Sequence, residues 1–402
     1  MVRKKVIFDS ILSIISSAIP IVVLQLFILP VVANKLGNEQ YGLAVTLISL
    51  ATLFSLPLGN VLNNIRLLLD EKYKEHHIEG DFNLILLGSI IINMIVMVIG
   101  TIYYEPSFSI ISIILVVLFS SLNLIREYLI VTFRIILNYK SILINNLFLG
   151  IGYLFGLLIF FIFEYWQLVY FFGALFSLIY ITRYSNLLQE SYRSTPFFKE
   201  TLYETVVLFI SVFLKSMLTY ADKLLLFPLV GASAVSIYYS ANLMGKIISM
   251  AITPISSVML SYLAKMKLMK VKSFNLILLF TSVLGIIGYV VILFISKPIL
   301  EILYPAWADE SLKLIPITTA TVIVGVISSV IHPIILRFNH INWQLWINLL
   351  NLLIYVVCAY IFYNYYGLIG FCVGMLIANV IKLLIMIFAF FQNRRPKKEK
   401  LV

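Results

Sequence analysis

Apolar residues run along this chain in blocks of about twenty or more, broken by short polar joints. A helix that crosses a bilayer needs roughly 20 mainly apolar residues, because the hydrocarbon offers no water to satisfy an open backbone. Twelve segments meet that need: 8–33, 41–66, 82–103, 107–136, 141–163, 166–187, 203–230, 234–263, 274–296, 312–337, 342–363 and 367–392. Several are longer than one bilayer requires, which predicts tilted, kinked or extended helices. The predicted fold class is all-α and polytopic, with no soluble domain inserted between spans. The opening "MVRKKVIFDSILSIISSAIP" has the basic start of a signal peptide, but its apolar run continues past Leu29 with no small-residue cleavage site. It reads as an uncleaved first span.

Composition agrees with this pattern. The 402 residues are 62% hydrophobic and 12% charged, where a soluble domain is about half apolar and a quarter charged. The net charge of +11 would suit nucleic acid if the cations formed one patch. They gather instead in alternate loops. With the N-terminus inside, the inner segments hold Lys and Arg at 3–5, 66–74, 134–140, 183–199, 265–272, 337 and 394–400, against Lys35, Lys297 and Lys313 outside. The cation bias therefore sets topology, with both termini cytoplasmic, and argues against a nucleic-acid partner. The basic tail "NRRPKKEKLV" reads as a stop-transfer flank that can also touch anionic lipid. Cys358 and Cys372 lie in apolar runs and define neither a disulfide framework nor a metal set.

The longer inner loop "LLQESYRSTPFFKE" (187–200) divides the spans six and six. The expected domains are an N-terminal six-helix lobe over 1–200 and a C-terminal one over 201–402 that ends in the basic tail. Pro30, Tyr41 and Pro57 in the first half recur as Pro228, Tyr238 and Pro254 in the second. Both units start with a span running outward, so the repeat implies a pseudo-twofold axis along the membrane normal. A substrate path is expected between the two bundles.

The polar residues inside these spans carry the candidate chemistry. At about 100° per residue, Glu204, Ser211, Lys215, Thr219 and Asp222 share one stripe of the seventh span. A lysine near mid-bilayer, such as Lys215, costs roughly 3 kcal/mol. Asp222 stands ~10 Å further along the helix, too far for a direct ion pair. Span eight repeats the pattern with Tyr239, Asn242, Lys246, Ser249, Thr253 and Ser256. Span two carries Thr52, Ser55, Gly59, Asn63 and Arg66, and span four Asn123, Arg126 and Glu127. Each has a plainer reading. Ser, Thr and Asn often bind helices together; Arg66 and Arg126 can snorkel to the inner surface. Lys223 can snorkel outward or pair with Asp222, and a structural Lys–Asp pair is the alternative for Lys215. Gly152, Gly156, Gly370 and Gly374 read as close-packing positions.

No catalytic constellation appears. There is no P-loop, nucleophile elbow or metal-spaced set, and no cofactor is implied. A membrane polymerase or ligase would need a large outward loop with reactive residues. The longest candidate, "KPILEILYPAWADES" (297–311), has Glu301, Asp309 and Glu310 but no His or Arg. Without an ATP-binding signature, transport would run on gradients or on downstream consumption.

Two stretches carry a family resemblance: "LPVVANKLGNEQYGLAVTLISLATLFSLPLGNVLN" and "YADKLLLFPLVGASAVSIYYSANLMGKIISMAITPISSVML". They resemble the first-to-second and seventh-to-eighth span regions of Wzx-type flippases of O-antigen or capsule repeat units, in the MOP superfamily. Lipid II flippases of that superfamily usually carry two further spans, which disfavours that branch. Drug exporters share the architecture and stand as the alternative. The resemblance implies two six-helix lobes around a cavity that opens alternately to each side, as in MATE-like folds. It implies a polyprenyl diphosphate-linked oligosaccharide as substrate, in the bacterial cytoplasmic (inner) membrane, with membrane lipid and other polysaccharide assembly proteins as partners. On that reading Lys215 and Lys246, with Arg66 or Arg126, draw in the diphosphate. Asn242 and Asn63 offer hydrogen bonds to the substrate. Asp222 or Glu127 senses a coupling proton or sodium.

Overall fold

The computed structural model describes residue 12 and residues 14–105, 109–263, 269–338 and 342–392, with the backbone alone at 247–248, 250–263, 336–338, 342 and 344–345. Asp9, Ser13, the first turns of span one and the basic tail lie outside the described residues. So do the side chains of Thr253 and Ser256. We number the helices α1 (Ile14–Glu75), α2 (Asp81–Tyr104), α3 (Ile110–Ile135), α4 (Tyr139–Phe163), α5 (Gln167–Thr182), α6 (Phe198–Val230), α7 (Ala232–Leu263), α8 (Val271–Leu303), α9 (Ala308–Phe338) and α10 (Asn342–Gln392). Eight helices of the described residues are long and apolar enough to cross a membrane.

Two of these rods are double. Backbone breaks at Gly37 (φ 77°, ψ 175°) and Gly367 (φ 57°, ψ −138°) interrupt α1 and α10. We call the parts of α1 before and after the break α1a and α1b. Spans one and two therefore share α1, and spans eleven and twelve share α10. With α5 and α7 added, each expected span has a helical segment at its place in the chain.

Contacts divide the chain into two compact units, Met1–Val235 and Ser236–Val402. This cut falls after the seventh span. The six-plus-six division at 200 is a division by topology and repeat. In the first unit, one cluster joins Leu58, Leu62, Phe82, Leu124, Tyr128 and Phe133, and a second gathers around Leu47, Met97, Phe119, Phe160 and Trp166. Gly152 and Gly156 let α4 lie on α5: a Cβ at Gly156 would stand 2.6 Å from the Cα of Val169. In the second unit, Phe274 stacks on Phe390 at 3.8 Å beside Ile323, Ile327 and Ile331. There Gly374 meets the carbonyl of Cys358, where a Cβ would come within 2.6 Å.

The repeat is present, in a register different from the one the prolines suggest. Gly231 (φ 100°, ψ 172°) ends α6 with nearly the backbone geometry of Gly37. Both are conformations that a side chain resists. From Tyr41 to Thr52 and from Val235 to Lys246, the order of buried and half-buried positions is the same at all twelve places. The shift is 194 residues, carrying 37 to 231 and 41 to 235. Thr46 and Ser240 then correspond, and each donates its hydroxyl to the carbonyl four residues back. The Pro30, Tyr41 and Pro57 match misses this register by three or four places. Helix breaks and burial define it, and neither is visible in residue identity.

Candidate translocation site

Lys215 lies near the middle of α6. The Phe54 and Phe213 rings meet at 5.0 Å, tilted by 53°, and the Tyr73 hydroxyl meets the Thr201 hydroxyl at 2.6 Å. These contacts run α6 antiparallel to α1b, with Lys215 level with Thr52–Leu56. Taking about 100° per residue, Leu208, Thr219, Asp222 and Leu226 fall within about 40° of Lys215. The exposed apolar side chains Tyr203, Val206, Val207 and Ile210 lie about 80° or more away. Lys215 itself is exposed, as are Ser211 and Thr219 one turn to either side, while Asp222 and Leu226 further along the same row are buried. No hydrogen bond or ion pair reaches its side chain among the described residues. Its stripe neighbours are less demanding. Ser211 and Thr219 return their hydroxyls to the carbonyls of Val207 and Lys215, at 3.2 and 3.3 Å.

The acid at the end of this stripe is already matched. Asp222 and Lys223 are both buried, and Lys223 Nζ is 2.5 Å from Asp222 Oδ1. Tyr220 lies within electrostatic reach of both Asp222 and Glu127. That brings α6 near a polar seam between α1b and α3. Asn123 donates to the Ser55 hydroxyl at 3.1 Å. Arg126 donates to the Asn123 carbonyl oxygen at 3.3 Å and pairs with Glu127. The Asn63 amide donates to the carbonyl of Glu127 at 2.8 Å and accepts from Arg134. Arg134 also reaches Asn64 at 2.9 Å. The helices approach closely because residue 59 is glycine; a Cβ there would stand 2.7 Å from the Leu124 carbonyl. Arg126, Glu127 and Asn63 are therefore brought together, with partners inside the unit.

Arg66 belongs to a different assembly. Its guanidinium binds Glu190 through two hydrogen bonds of 2.7 and 2.6 Å, with Asp70 at 3.4 Å and the Phe82 ring at 4.7 Å. Around it the 187–200 connector is tied down. Asn83 donates to the carbonyls of Leu187 and Glu190, both at 2.9 Å. Asp81 accepts from the Thr195 amide and the Tyr73 hydroxyl, each at 2.7 Å. Lys72 pairs with Glu200 at 2.7 Å.

In the second unit, Asn242 donates to the Tyr238 hydroxyl at 3.2 Å, which in turn meets the Met375 sulfur at 3.4 Å. Lys246 is half-buried with its ammonium 4.5 Å from the centre of the Tyr239 ring. Sequence reasoning missed Arg134, counted there as a loop charge, and Tyr220, an aromatic in an apolar run. Arg134 finds its partners on α1b and Tyr220 reaches Glu127 on α3, and no local pattern marks contacts between helices.

Long apolar rods, glycine-broken helix pairs and polar groups held at mid-span define a polytopic membrane transporter. Solved structures show the same fold. An inward-facing multidrug resistance MATE family transporter of the MOP superfamily superposes with a TM-score of 0.70 at 10% identity, covering 95% of this chain and 98% of its own. The lipid II flippase MurJ in an inward closed conformation gives 0.67 at 14% identity, covering 97% and 87%. A MOP superfamily transporter from Pyrococcus furiosus, described as having a binding pocket of reversed polarity, gives 0.59 at 12%, covering 97% and 95%. A comparison with curated proteins returns no match. The profile of the family described as polysaccharide biosynthesis protein matches residues 7–267. The chain belongs to that family, the one that holds the Wzx-type flippases, and is a multi-pass membrane protein of the flippase and transporter kind. Its solved neighbours are transporters and flippases rather than enzymes.

Proposed function

We propose that this protein moves a polyprenyl diphosphate-linked oligosaccharide from the cytoplasmic to the outer leaflet of the bacterial inner membrane by alternating access, for surface polysaccharide such as O-antigen or capsule. Both termini are cytoplasmic on this reading, and 1–200 and 201–402 are the two six-helix halves. The observation that carries it is Lys215: an exposed cation at mid-span with no side-chain partner among the described residues, in the row that leads to buried Asp222, in a chain of the polysaccharide biosynthesis family. A membrane pays roughly 3 kcal/mol for such a group, and an anion that binds there offsets that cost. Stripped sugar hydroxyls each cost several kcal/mol unless replaced, and the polar side chains along the spans offer substitutes.

Lys215 and Lys246, each within its own unit, are the primary anion contacts in this proposal. Arg126 is the secondary contact, reached by displacing Glu127. Arg66 serves the connector, and its part in substrate binding is the weakest of the set. Asn242 and Asn63 offer hydrogen bonds to the substrate in this scheme, from positions where each already bonds a neighbour. Asp222 and Glu127 sit in ion pairs that a proton or sodium ion would have to open, which suits a coupling role. Purified protein in vesicles tests the scheme with lipid-linked oligosaccharide isolated from cells lacking the protein. Wild type flips it, and Lys215→Ala and Lys246→Ala slow the flip by about tenfold or more. Wild-type rates in both variants remove the anion role. Active extrusion of cationic drugs without any flipping assigns the protein to the exporter class. Flipping unchanged when proton and sodium gradients collapse removes the coupling role of Asp222 and Glu127.

A further inference from the structure

From Tyr41 to Leu67, α1b is buried or half-buried throughout except at Asn60, the single exposed residue. The half-buried positions around it, Ile48, Thr52, Leu56 and Asn64, precede and follow it at steps of four and form one accessible strip along the helix. No large apolar side chain between Val31 and Leu68 is exposed. A helix facing lipid shows the opposite, as α2 does with Ile91, Ile92, Ile95 and Ile99. The amide of Asn60 makes no hydrogen bond among the described residues. Thr52 returns its hydroxyl to Ile48, and Asn64 accepts from Arg134. An unpartnered amide within a span is costly unless it meets water or a ligand.

The repeat gives this strip a counterpart. The 194-residue shift carries Ile48 and Thr52 to Asn242 and Lys246. At these two positions both helices are half-buried, with a neutral pair in the first unit and an amide and a cation in the second.

We propose that Asn60 is a sugar-contacting residue that binds hydroxyl groups of the lipid-linked oligosaccharide through its amide. A carboxamide offers two donors and an acceptor without charge, which matches a hydroxyl better than a phosphate. Asn60 lies six residues from Phe54 toward the connector end, and Lys215 lies two residues past Phe213 in the other direction. At ~1.5 Å per residue their levels differ by ~12 Å, farther than a diphosphate alone extends. A head group held at Lys215 reaches Asn60 only with its sugars. This inference rests on the flippase reading above, and the test separates the two.

Two probes are bound to reconstituted full-length protein: polyprenyl diphosphate with no sugar, and the lipid-linked oligosaccharide from cells lacking the protein. Asn60→Leu is expected to weaken the second by about five- to tenfold and leave the first unchanged. Lys215→Ala weakens both alike. Wild-type protein that binds neither probe sinks the flippase reading and this inference with it. Wild-type protein that binds both, with Asn60→Leu binding the oligosaccharide lipid as tightly, overturns the inference alone. A second measurement needs no substrate. In a chain with Cys358 and Cys372 replaced by Ala, Asn60→Cys is expected to react with a charged, membrane-impermeant thiol reagent, while Ile92→Cys does not. The oligosaccharide lipid is expected to protect it. Failure of Asn60→Cys to react places the strip against lipid and removes the proposal.

Discussion

Arg66 and Lys215 are both cations inside apolar spans of the first unit, yet their surroundings differ in kind. Arg66 is 6% exposed and held by Glu190, Asp70 and the Phe82 ring. Lys215 is exposed, with no side-chain partner among the described residues. Arg66 fastens the 187–200 connector to α1b and α2, so its charge is spent on the fold. Lys215 is open to an anion that the protein itself does not supply. Arg126 stands between them: it is buried and paired, but with a neighbour on its own helix. A charged residue within a span is thus a functional candidate only after its partners are counted.

The largest expected effect breaks the tied side of this contrast. Glu190→Ala leaves the Arg66 guanidinium buried without its two-point partner. Removing one member of a buried pair costs about 3–5 kcal/mol, moderated here by Asp70. Thermal unfolding in detergent or bicelles measures it. The double variant Arg66→Met/Glu190→Leu is expected to recover much of the loss, since an apolar pair leaves no orphan charge. An unchanged melting point in Glu190→Ala, with transport lost in Arg66→Ala, would return Arg66 to the substrate.

A middle-sized effect tests the seam that holds Arg126 and Glu127. Gly59→Val places carbon against the Leu124 carbonyl and the Glu127 Cβ. Overpacking of this kind costs about 1–3 kcal/mol, and it pushes α1b from α3 where Asn63 and Asn123 bridge them. The melting point should fall. If it holds, the close approach at this glycine is not part of the folded state. Lys215→Ala is expected to sit lower on the stability scale, within about 0.5 kcal/mol of wild type, while losing transport. A clear loss of stability in Lys215→Ala would mean that its ammonium has a structural partner after all.

How much of this was legible in the sequence follows from the range of each interaction. The spans were readable because burial in lipid imposes a composition on every residue of a segment. The close-packing glycines were readable because a small residue at helical spacing has few other uses; Gly156 against Val169 bears that out. The Asp222–Lys223 pair was one of two outcomes open for Lys223, visible because the two are adjacent, and the structure takes it over snorkelling. The Arg66–Glu190 bridge was not, since it closes 124 residues of chain with no local signal. Asn60 escaped for the opposite reason. Its neighbours Gly59 and Asn63 fit the polar pattern of span two, but from Ser55 to Asn63 that pattern marks the face buried against α3. The accessible face lies beside it, and only packing separates the two. The repeat register failed similarly, because prolines mark bends loosely while Gly37 and Gly231 fix the breaks.

The smallest effect concerns charge just beyond a span. Glu105 follows α2, where burial raises its carboxyl above the usual range and a hydrogen bond from Ser112 at 3.1 Å opposes the rise. A carboxyl with a raised folded pKa favours the protonated form in the fold. Its penalty is present above that pKa, is relieved as pH falls through it, and is gone below the unfolded value of about 4.3. Glu105→Gln carries no such penalty at any pH. The variant should therefore melt slightly above wild type at neutral pH, of the order of 1 °C, with the gap closing toward pH 4. A wider gap at acid pH would mean that the ionised carboxylate is the favoured form. Glu105 would then belong with Arg66, among charges the fold has partnered, rather than with Lys215.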